Sequence, residues 1–110
     1  MSDAVVADLG GTPTDSGGVV WSLPQGGDLD ANLVRLRPEG QIAEHLNDEV
    51  DVLVFVQSGS GELVIDGEVH PLRGDVLALI PQGARRQVTA GPFGVTYLSI
   101  HRHRGPLTVG

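Results

Sequence analysis

The sequence contains no cysteine and no lysine. Without cysteine the protein has no thiol nucleophile, no disulfide and no thiolate metal ligand, so any metal would be held by nitrogen and oxygen atoms. Long hydrophobic runs are also missing, since the longest, at 52–56 and 76–80, are far shorter than a membrane span. The first residues lack the positive start and the apolar stretch of a secretory signal, so we expect a cytoplasmic protein.

Positive charge is scarce, and all of it comes from arginine. The formal net charge is −7, and residues 1–34 contain aspartates but no basic residue. Nucleic acids and anionic membrane surfaces attract basic patches, so this balance argues against either partner. The composition, with 40% hydrophobic and 19% charged residues over 110 positions, is typical of one globular domain.

The distribution of turn-forming residues divides the chain into two parts. Residues 1–18 mix Gly, Thr, Pro, Ser and Asp without periodicity, and we expect a flexible N-terminal arm there. From 19 to 110 we expect one all-β domain, because short β-branched and aliphatic segments alternate with Gly and Pro. Strands this closely spaced favour a sandwich or a closed barrel. The predicted strands are VVWSL, ANLVRLR, QIAEH, DVLVFVQ, ELVI, EVHPL, DVLALI, RRQVT and VTYLSIH.

Several turns can be predicted between these strands. Asp66 and Gly67 lie between ELVI and EVHPL and are typical of a type I′ hairpin, which needs two positive φ values. Ser-Gly-Ser-Gly at 58–61 and Pro-Gln-Gly at 81–83 predict two further turns.

The residues before the hairpin resemble the first motif of the cupin superfamily, a group of small jelly-roll barrels. Gly40, His45, Asn47, Val52 and Gly59 fall at or within one residue of the places where cupins have Gly, His-x-His, Glu and Gly. The resemblance covers roughly residues 30–100. It implies a single-domain cupin-type jelly-roll β-barrel.

The second cupin motif follows the hairpin. Gly74 leads, with one extra residue, to Pro81, Gly83 and then Arg86, where the family has Gly, Pro-x-Gly and a His. The glycines and the proline that shape the scaffold are therefore present in both motifs.

The resemblance implies a metal site of three His and one Glu that point into the barrel. Only His45 carries over, because Asn47 stands at the second His position, Val52 at the Glu position and Arg86 at the third His position. Asn is a weak ligand, Val is none, and the fixed charge of Arg86 would repel a cation. We therefore expect no standard cupin metal centre and no cofactor.

A non-standard site for a divalent transition metal is the alternative. Asp48, Glu49 and Asp51 lie in the loop after His45, and one of them could join it, with His101 of the last predicted strand as a further ligand. Acidic loop residues are more often solvated, however. His45 could equally be a core histidine held by one hydrogen bond.

Without a metal, the same positions suit a small polar or anionic ligand. The planar guanidinium of Arg86 matches a pair of carboxylate or phosphate oxygens, and His45 and Asn47 are further hydrogen-bonding groups. The structural alternative is that Arg86 pairs with a local carboxylate, either Asp48 or Asp51.

The last predicted strand adds a possible wall of the pocket. Tyr97, Ser99 and His101 alternate on one face, and Leu98 and Ile100 lie on the other. The sequence leaves open which face is turned inward, and Tyr97 is our candidate for a ligand contact.

The sequence thus predicts a small cupin-type protein that binds a polar or anionic small molecule without an obligatory metal. A metal-dependent enzyme of the dioxygenase or isomerase type is the alternative, and a barrel that only associates with proteins is a third possibility. We also expect a homodimer, since the early apolar strand with Val19, Val20 and Trp21 could pack on a partner barrel.

Overall fold

The computed structural model of the protein describes residues 4–11, 17–24 and 27–103. Within these ranges the 3-10 turn Leu9–Gly11 is the only helical segment, and no helix is long and apolar enough to cross a membrane. The all-β class predicted from the sequence is confirmed. The strands are β1 (Gly18–Ser22), β2 (Leu29–Leu36), β3 (Gln41–Leu46), β4 (Val52–Ile65), β5 (Glu68–Arg73), β6 (Leu77–Ile80) and β7 (Arg85–Arg102).

The long strands β4 and β7 pair with each other along the whole molecule. Val52–Val56 of β4 pairs with Tyr97–His101 of β7, and Gly61–Ile65 pairs with Arg86–Ala90. The first pairing is flanked by β2 and β6, with β1 beyond β2, and we call this part the β6 half of the sheet. The second is flanked by β3 and β5 and forms the β5 half. Each long strand joins two strands that the sequence predicts separately.

The prediction of a turn at Ser-Gly-Ser-Gly, 58–61, is wrong, because these residues lie inside β4. The register with β7 shifts on both sides of Gly59, where β4 passes from one half of the sheet to the other. A Cβ on Gly59 would collide with the carbonyl oxygen of Gly94, and a Cβ on Gly61 with that of Thr89. The glycines therefore let two paired backbones approach closely at a bend, and they do not reverse the chain.

The hairpin at 66–67 is confirmed. Asp66 and Gly67 have φ values of 48° and 84°, as a type I′ turn requires. Asp66 also ties the hairpin to β7, since its carboxylate accepts the Arg85 N–H at 2.9 Å and its own N–H donates to the Arg85 carbonyl at 2.9 Å. This bracket fixes the register at the start of β7, and register decides which way the next side chain, Arg86, points.

One hydrophobic core lies between the two halves. Along the start of β4, Val54 is 5% exposed and Val56 is fully buried. Leu53, whose side chain points to the opposite face of the strand, is 39% exposed. The same alternation in the β5 half buries Leu63 and Val88, which belong to one cluster with Val54 and Val56. The two halves therefore pack face to face, as in a jelly roll.

The predicted boundary at 18 between arm and barrel stays a prediction. β1 begins at Gly18, and residues 12–16 of the predicted arm lie outside the described residues, as do residues 104–110 of the predicted barrel.

We expect Gly59→Ala to destabilise the protein by about 2–4 kcal/mol, because the new Cβ collides with the paired backbone and the φ of 81° disfavours an L side chain. Gly67→Ala is the matched control, since φ there is 84° but no atom lies within 4 Å of the added Cβ. The control should lose only about 1–2 kcal/mol of conformational energy. Urea unfolding compares the two, and equal losses would contradict crowding at the bend.

Candidate functional site

A cavity of about 280 Å³ opens between the two halves of the sheet, and we call it the barrel cavity. Part of its lining is aliphatic, because the inward faces of four strands contribute branched side chains to it. These residues are Ile42, Val52, Val54, Ile80 and Val88.

The barrel cavity also has a polar side. β2, β3 and β7 supply all of its polar lining, which consists of Asn32, His45, Arg86, Tyr97, Ser99 and His101. Three of the four ligand-binding residues predicted from the sequence are thus brought to one cavity. The fourth, Asn47, lies outside the lining residues.

The structure decides which face of the last strand is turned inward. Tyr97, Ser99 and His101 line the barrel cavity, while Leu98 and Ile100 lie on the opposite face of β7. The register is consistent with this, since Tyr97 pairs with the fully buried Val56 and His101 pairs with Val52.

Arg86 is the one arginine among the described residues that line the cavity. It is 7% exposed and is paired across the strands with His45, so both side chains leave the sheet on the same face. Its neighbour Arg85 is exposed and points away from the cavity. A strand alternates its side chains between faces, so only one of the two adjacent arginines can enter the barrel.

Tyr97 is a neutral hydrogen-bond donor in this site. It is 5% exposed, and burial raises the pKa of its hydroxyl to about 12, while the positive charge of Arg86 opposes part of that increase. The hydroxyl therefore keeps its proton over the whole physiological pH range.

The two histidines present the same ring nitrogen to backbone carbonyls. His45 Nδ1 lies 3.1 Å from the Ala43 oxygen, and His101 Nδ1 lies 2.9 Å from the Arg102 oxygen. A carbonyl oxygen only accepts hydrogen bonds, so Nδ1 carries the hydrogen in each ring. In the neutral form of either ring, Nε2 is left as an acceptor.

Asn47 has a clear structural role at the end of β3. Its Oδ1 accepts the N–H of Glu49 at 2.9 Å, and its backbone oxygen accepts the N–H of Gly83 at 2.8 Å. This residue holds the acidic loop in shape and attaches it to the Pro-Gln-Gly turn at 81–83.

The acidic loop is tied down by the same turn. Gln82 donates its backbone N–H to Asp51 Oδ1 at 2.7 Å and its side-chain amide to the Asp48 carbonyl at 2.6 Å. Asp48, Glu49 and Asp51 are exposed, and none of them lines the barrel cavity. The loop therefore supports the rim of the barrel from outside.

The residues of the cavity do not fit the cupin metal shell of three His and one Glu. Val52 and Arg86 occupy two ligand positions and both line the cavity. Within the described ranges, no group of three or more His, Asp or Glu residues is placed to hold a metal ion. His103 and His70 lie outside the lining of the cavity. His103 Nδ1 is 3.1 Å from Asp30 Oδ1, and His70 Nε2 is 3.0 Å from Glu68 Oε1.

Sequence reasoning missed one polar residue of the cavity, Asn32. It lies on β2, which belongs to neither cupin motif, and it faces the cavity because it is paired with Ser99. Without the partner strand, the alternation in β2 gives no sign of which residues face inward. Ile42, Val54, Ile80 and Val88 were expected only as strand residues.

The sequence matches no protein-family model and no curated protein. The backbone does resemble solved structures. A conserved protein of unknown function from Streptococcus pyogenes has a TM-score of 0.72 at 23% identity, over 93% of this chain and 90% of that one. A Klebsiella pneumoniae protein with a double-stranded β-helix domain has a TM-score of 0.71 at 19% identity, over 84% of this chain and 83% of that one.

A third similar structure is the cupin domain of Cnp3 from Schizosaccharomyces pombe, with a TM-score of 0.69 at 14% identity. The match covers 74% of this chain and 61% of that one. At these identities the likeness shows the fold alone.

The chain has a single tyrosine, so the absorbance of tyrosinate reports on Tyr97 alone. We expect it to ionise with a pKa of about 12. Arg86→Gln should raise this pKa further, because the charge that favours tyrosinate is removed. Arg85→Gln makes the same change in net charge outside the cavity and should leave the pKa unchanged. Absorbance after a rapid pH jump, read before alkaline unfolding, measures it.

The same pKa predicts a loss of stability in alkali. The unfolded chain releases the tyrosine proton at about pH 10, whereas the folded chain holds it to about pH 12. Folding is therefore disfavoured progressively as the pH rises between these values. A pKa near 10 in the folded protein would show that Tyr97 is not buried in the cavity wall.

Proposed function

We propose that this protein, which has the cupin fold, binds a small organic anion in the barrel cavity through Arg86. The arginine is 7% exposed and lines the cavity, and none of the described residues that line the cavity is Asp or Glu. Over the whole chain, in contrast, acidic residues outnumber basic ones and the formal net charge is −7.

The chemistry of the guanidinium suits a carboxylate or a phosphate. Its N–H groups form a planar fork that can donate to two oxygens at once, and such charged hydrogen bonds are stronger where water is excluded. Tyr97 adds a neutral hydroxyl close enough for the charge of Arg86 to affect its pKa. The negative group of the ligand would therefore lie between Arg86 and Tyr97.

The remaining lining limits the size and shape of the ligand. A cavity of about 280 Å³ has the volume of roughly nine water molecules, so it suits a compact molecule. Five aliphatic side chains form its apolar side, which favours a ligand with a short hydrocarbon part.

The histidines suggest where hydroxyl groups would bind. His45 is exposed and also lines the cavity, so it stands at the opening, and its Nε2 can accept a hydrogen bond. His101 offers the same acceptor on β7. A small hydroxy acid would use both the cation and these acceptors, and we favour this class.

A metal-dependent cupin enzyme is the second candidate. The observation in its favour is that His45 and His101 line the same cavity. Two imidazoles with an arginine beside them make a weak site for a divalent cation. The described lining contains no carboxylate that would balance the positive charges of the cation and of Arg86. We therefore place this function second. The cytoplasmic location expected from the sequence stays a prediction.

Arg86→Gln should weaken the binding of a small hydroxy acid at least about 30-fold, because it removes the charged partner inside the barrel. Calorimetry with glycolate, lactate, malate and inorganic phosphate measures the affinity. Arg85→Gln is the matched control, with the same loss of charge one residue away on the outer face, and it should bind like the wild type.

Arg86→Lys keeps the charge and separates binding from folding. It should fold with the wild-type circular dichroism spectrum and bind more weakly than the wild type, because a point charge replaces the fork. The proposal fails if the wild type binds none of these anions. It also fails if Arg86→Gln and Arg85→Gln bind them with the same affinity.

Elemental analysis of the purified protein should give far less than one divalent metal ion per chain, before and after incubation with Mn²⁺, Fe²⁺, Ni²⁺ or Zn²⁺. One equivalent that is lost in His45→Ala and in His101→Ala would instead favour the enzyme. His70→Ala is the control, because His70 contacts Glu68 outside the barrel cavity.

A further inference from the structure

We propose that Asn32 and His101 together recognise one hydroxyl group of the ligand, so that the barrel cavity selects an alcohol over the corresponding ketone. Both residues line the barrel cavity, Asn32 from β2 and His101 from β7. This inference rests on the proposed function, because the acid group of the same ligand is taken to bind Arg86.

The side-chain amide of Asn32 is held in one orientation by the neighbouring strand. Ser22, the last residue of β1, is paired with Asn32 and donates its hydroxyl hydrogen to Asn32 Oδ1 over 2.6 Å. This distance is typical of an O–H donor and shorter than the usual range for an N–H donor. Ser22 is not among the residues that line the cavity, so the amide oxygen is engaged from outside the lining.

The amide nitrogen of Asn32 is the donor that this arrangement leaves for a ligand. No group of the described residues accepts a hydrogen bond from Nδ2, although Asn32 is paired on its other side with Ser99. Asn32 is half-buried, and an amide donor that leaves water without a new partner costs free energy. An oxygen atom of a bound ligand would satisfy it.

His101 supplies the complementary group. Its Nδ1 lies 2.9 Å from the carbonyl oxygen of Arg102, so in the neutral ring Nε2 is the acceptor that remains. No described residue donates a hydrogen bond to this nitrogen. The cavity therefore has an open acceptor on β7 and an open donor on β2.

The register brings the donor and the acceptor within reach of one oxygen atom. Asn32 is paired with Ser99, and His101 lies two residues further along β7, so the two are diagonal neighbours on the inward face. Diagonal neighbours are roughly 7–8 Å apart, which long side chains can span. An oxygen between them could accept from Nδ2 and donate to Nε2 over hydrogen bonds of about 3 Å each.

A hydroxyl group matches this pair, and a ketone does not. A hydroxyl oxygen accepts one hydrogen bond and donates another, whereas a ketone oxygen only accepts. A ketone would satisfy Asn32 and leave Nε2 of His101 without a donor, and a methylene group would satisfy neither. Sites built around such bonds discriminate because their own polar groups are left unpaired by the wrong ligand.

The hydroxyl and the acid group would bind to different walls of the cavity. Arg86 is paired with His45 and belongs to the β5 half, whereas Asn32 and His101 belong to the β6 half. The two halves pack face to face, so the ligand would extend from one wall to the other. Its charge and its hydroxyl are thus recognised independently.

Calorimetry with two sets of acids tests this selection in the wild type. β-Hydroxybutyrate, acetoacetate and butyrate have the same chain length and charge and differ at one carbon, and lactate, pyruvate and propionate form a shorter set. In at least one set, the hydroxy acid should bind about tenfold or more tightly than the keto acid. The keto acid should in turn bind more tightly than the unsubstituted acid, because it still accepts from Asn32.

Variants of the two residues should change different ratios of affinity. Asn32→Leu removes the donor at similar volume, so the keto acid should bind no more tightly than the unsubstituted acid. His101→Phe removes the acceptor and keeps a ring, so the hydroxy acid should bind only as tightly as the keto acid. Gln87→Leu is the control, since it removes an amide next to Arg86 that does not line the cavity, and both ratios should stay as in the wild type.

Ser22 acts as a positioning residue, and its variants test the orientation of the amide. Ser22→Ala should lower the preference for the keto acid over the unsubstituted acid about threefold, because the amide is no longer held in the binding orientation. Affinity for the unsubstituted acid should not change. Ser22→Thr keeps the hydroxyl and should restore the preference. A purely structural role of Ser22 would instead weaken all three acids alike.

Equal affinities for hydroxy and keto acids in both sets, with Arg86→Gln still weakening all of them, would overturn this inference and leave the proposed function intact. An Asn32→Leu variant that retains both ratios would also overturn it. A wild type that binds none of the acids would overturn both proposals. Circular dichroism shows whether each variant folds, and if Asn32→Leu does not, the Ser22 and His101 variants decide the outcome.

Discussion

The pairing of β4 with β7 is the interaction on which the rest of the structure depends. These strands belong to both halves of the sheet, and every other strand except β1 pairs with one of them. They can serve both halves only because their backbones approach closely at Gly59 and Gly94. The bend there turns the inward faces of the two halves toward each other. The core and the barrel cavity thus depend on the same close approach.

The barrel cavity brings together three positions that matter in the family resemblance. His45, Val52 and Arg86 stand at three places where the family resemblance implies metal ligands, and all three line one cavity. An arginine at the position of an imidazole ligand repels a cation and attracts an anion. The scaffold requires only that these positions face inward.

Much of the fold could be predicted from the sequence, because hairpin chemistry and strand composition act over short distances. The turn at 66–67 is an example, since its two residues determine its φ values. The bend at 58–61 was misread as a turn because glycine permits both, and the strand that approaches Gly59 lies some 35 residues away in the chain. The inward position of Asn32 and the outward position of Leu53 and Leu79 likewise depend on pairing partners that one sequence does not reveal.

The adjacent arginines at the start of β7 link the chemistry of the cavity to the register of that strand. A shift of β7 by one residue would exchange Arg85 and Arg86 between solvent and cavity without altering composition or net charge. The bracket between Asp66 and Arg85 resists such a shift at equilibrium. For an evolving lineage, a change of register at this point would therefore alter the chemistry of the cavity more than most substitutions inside it.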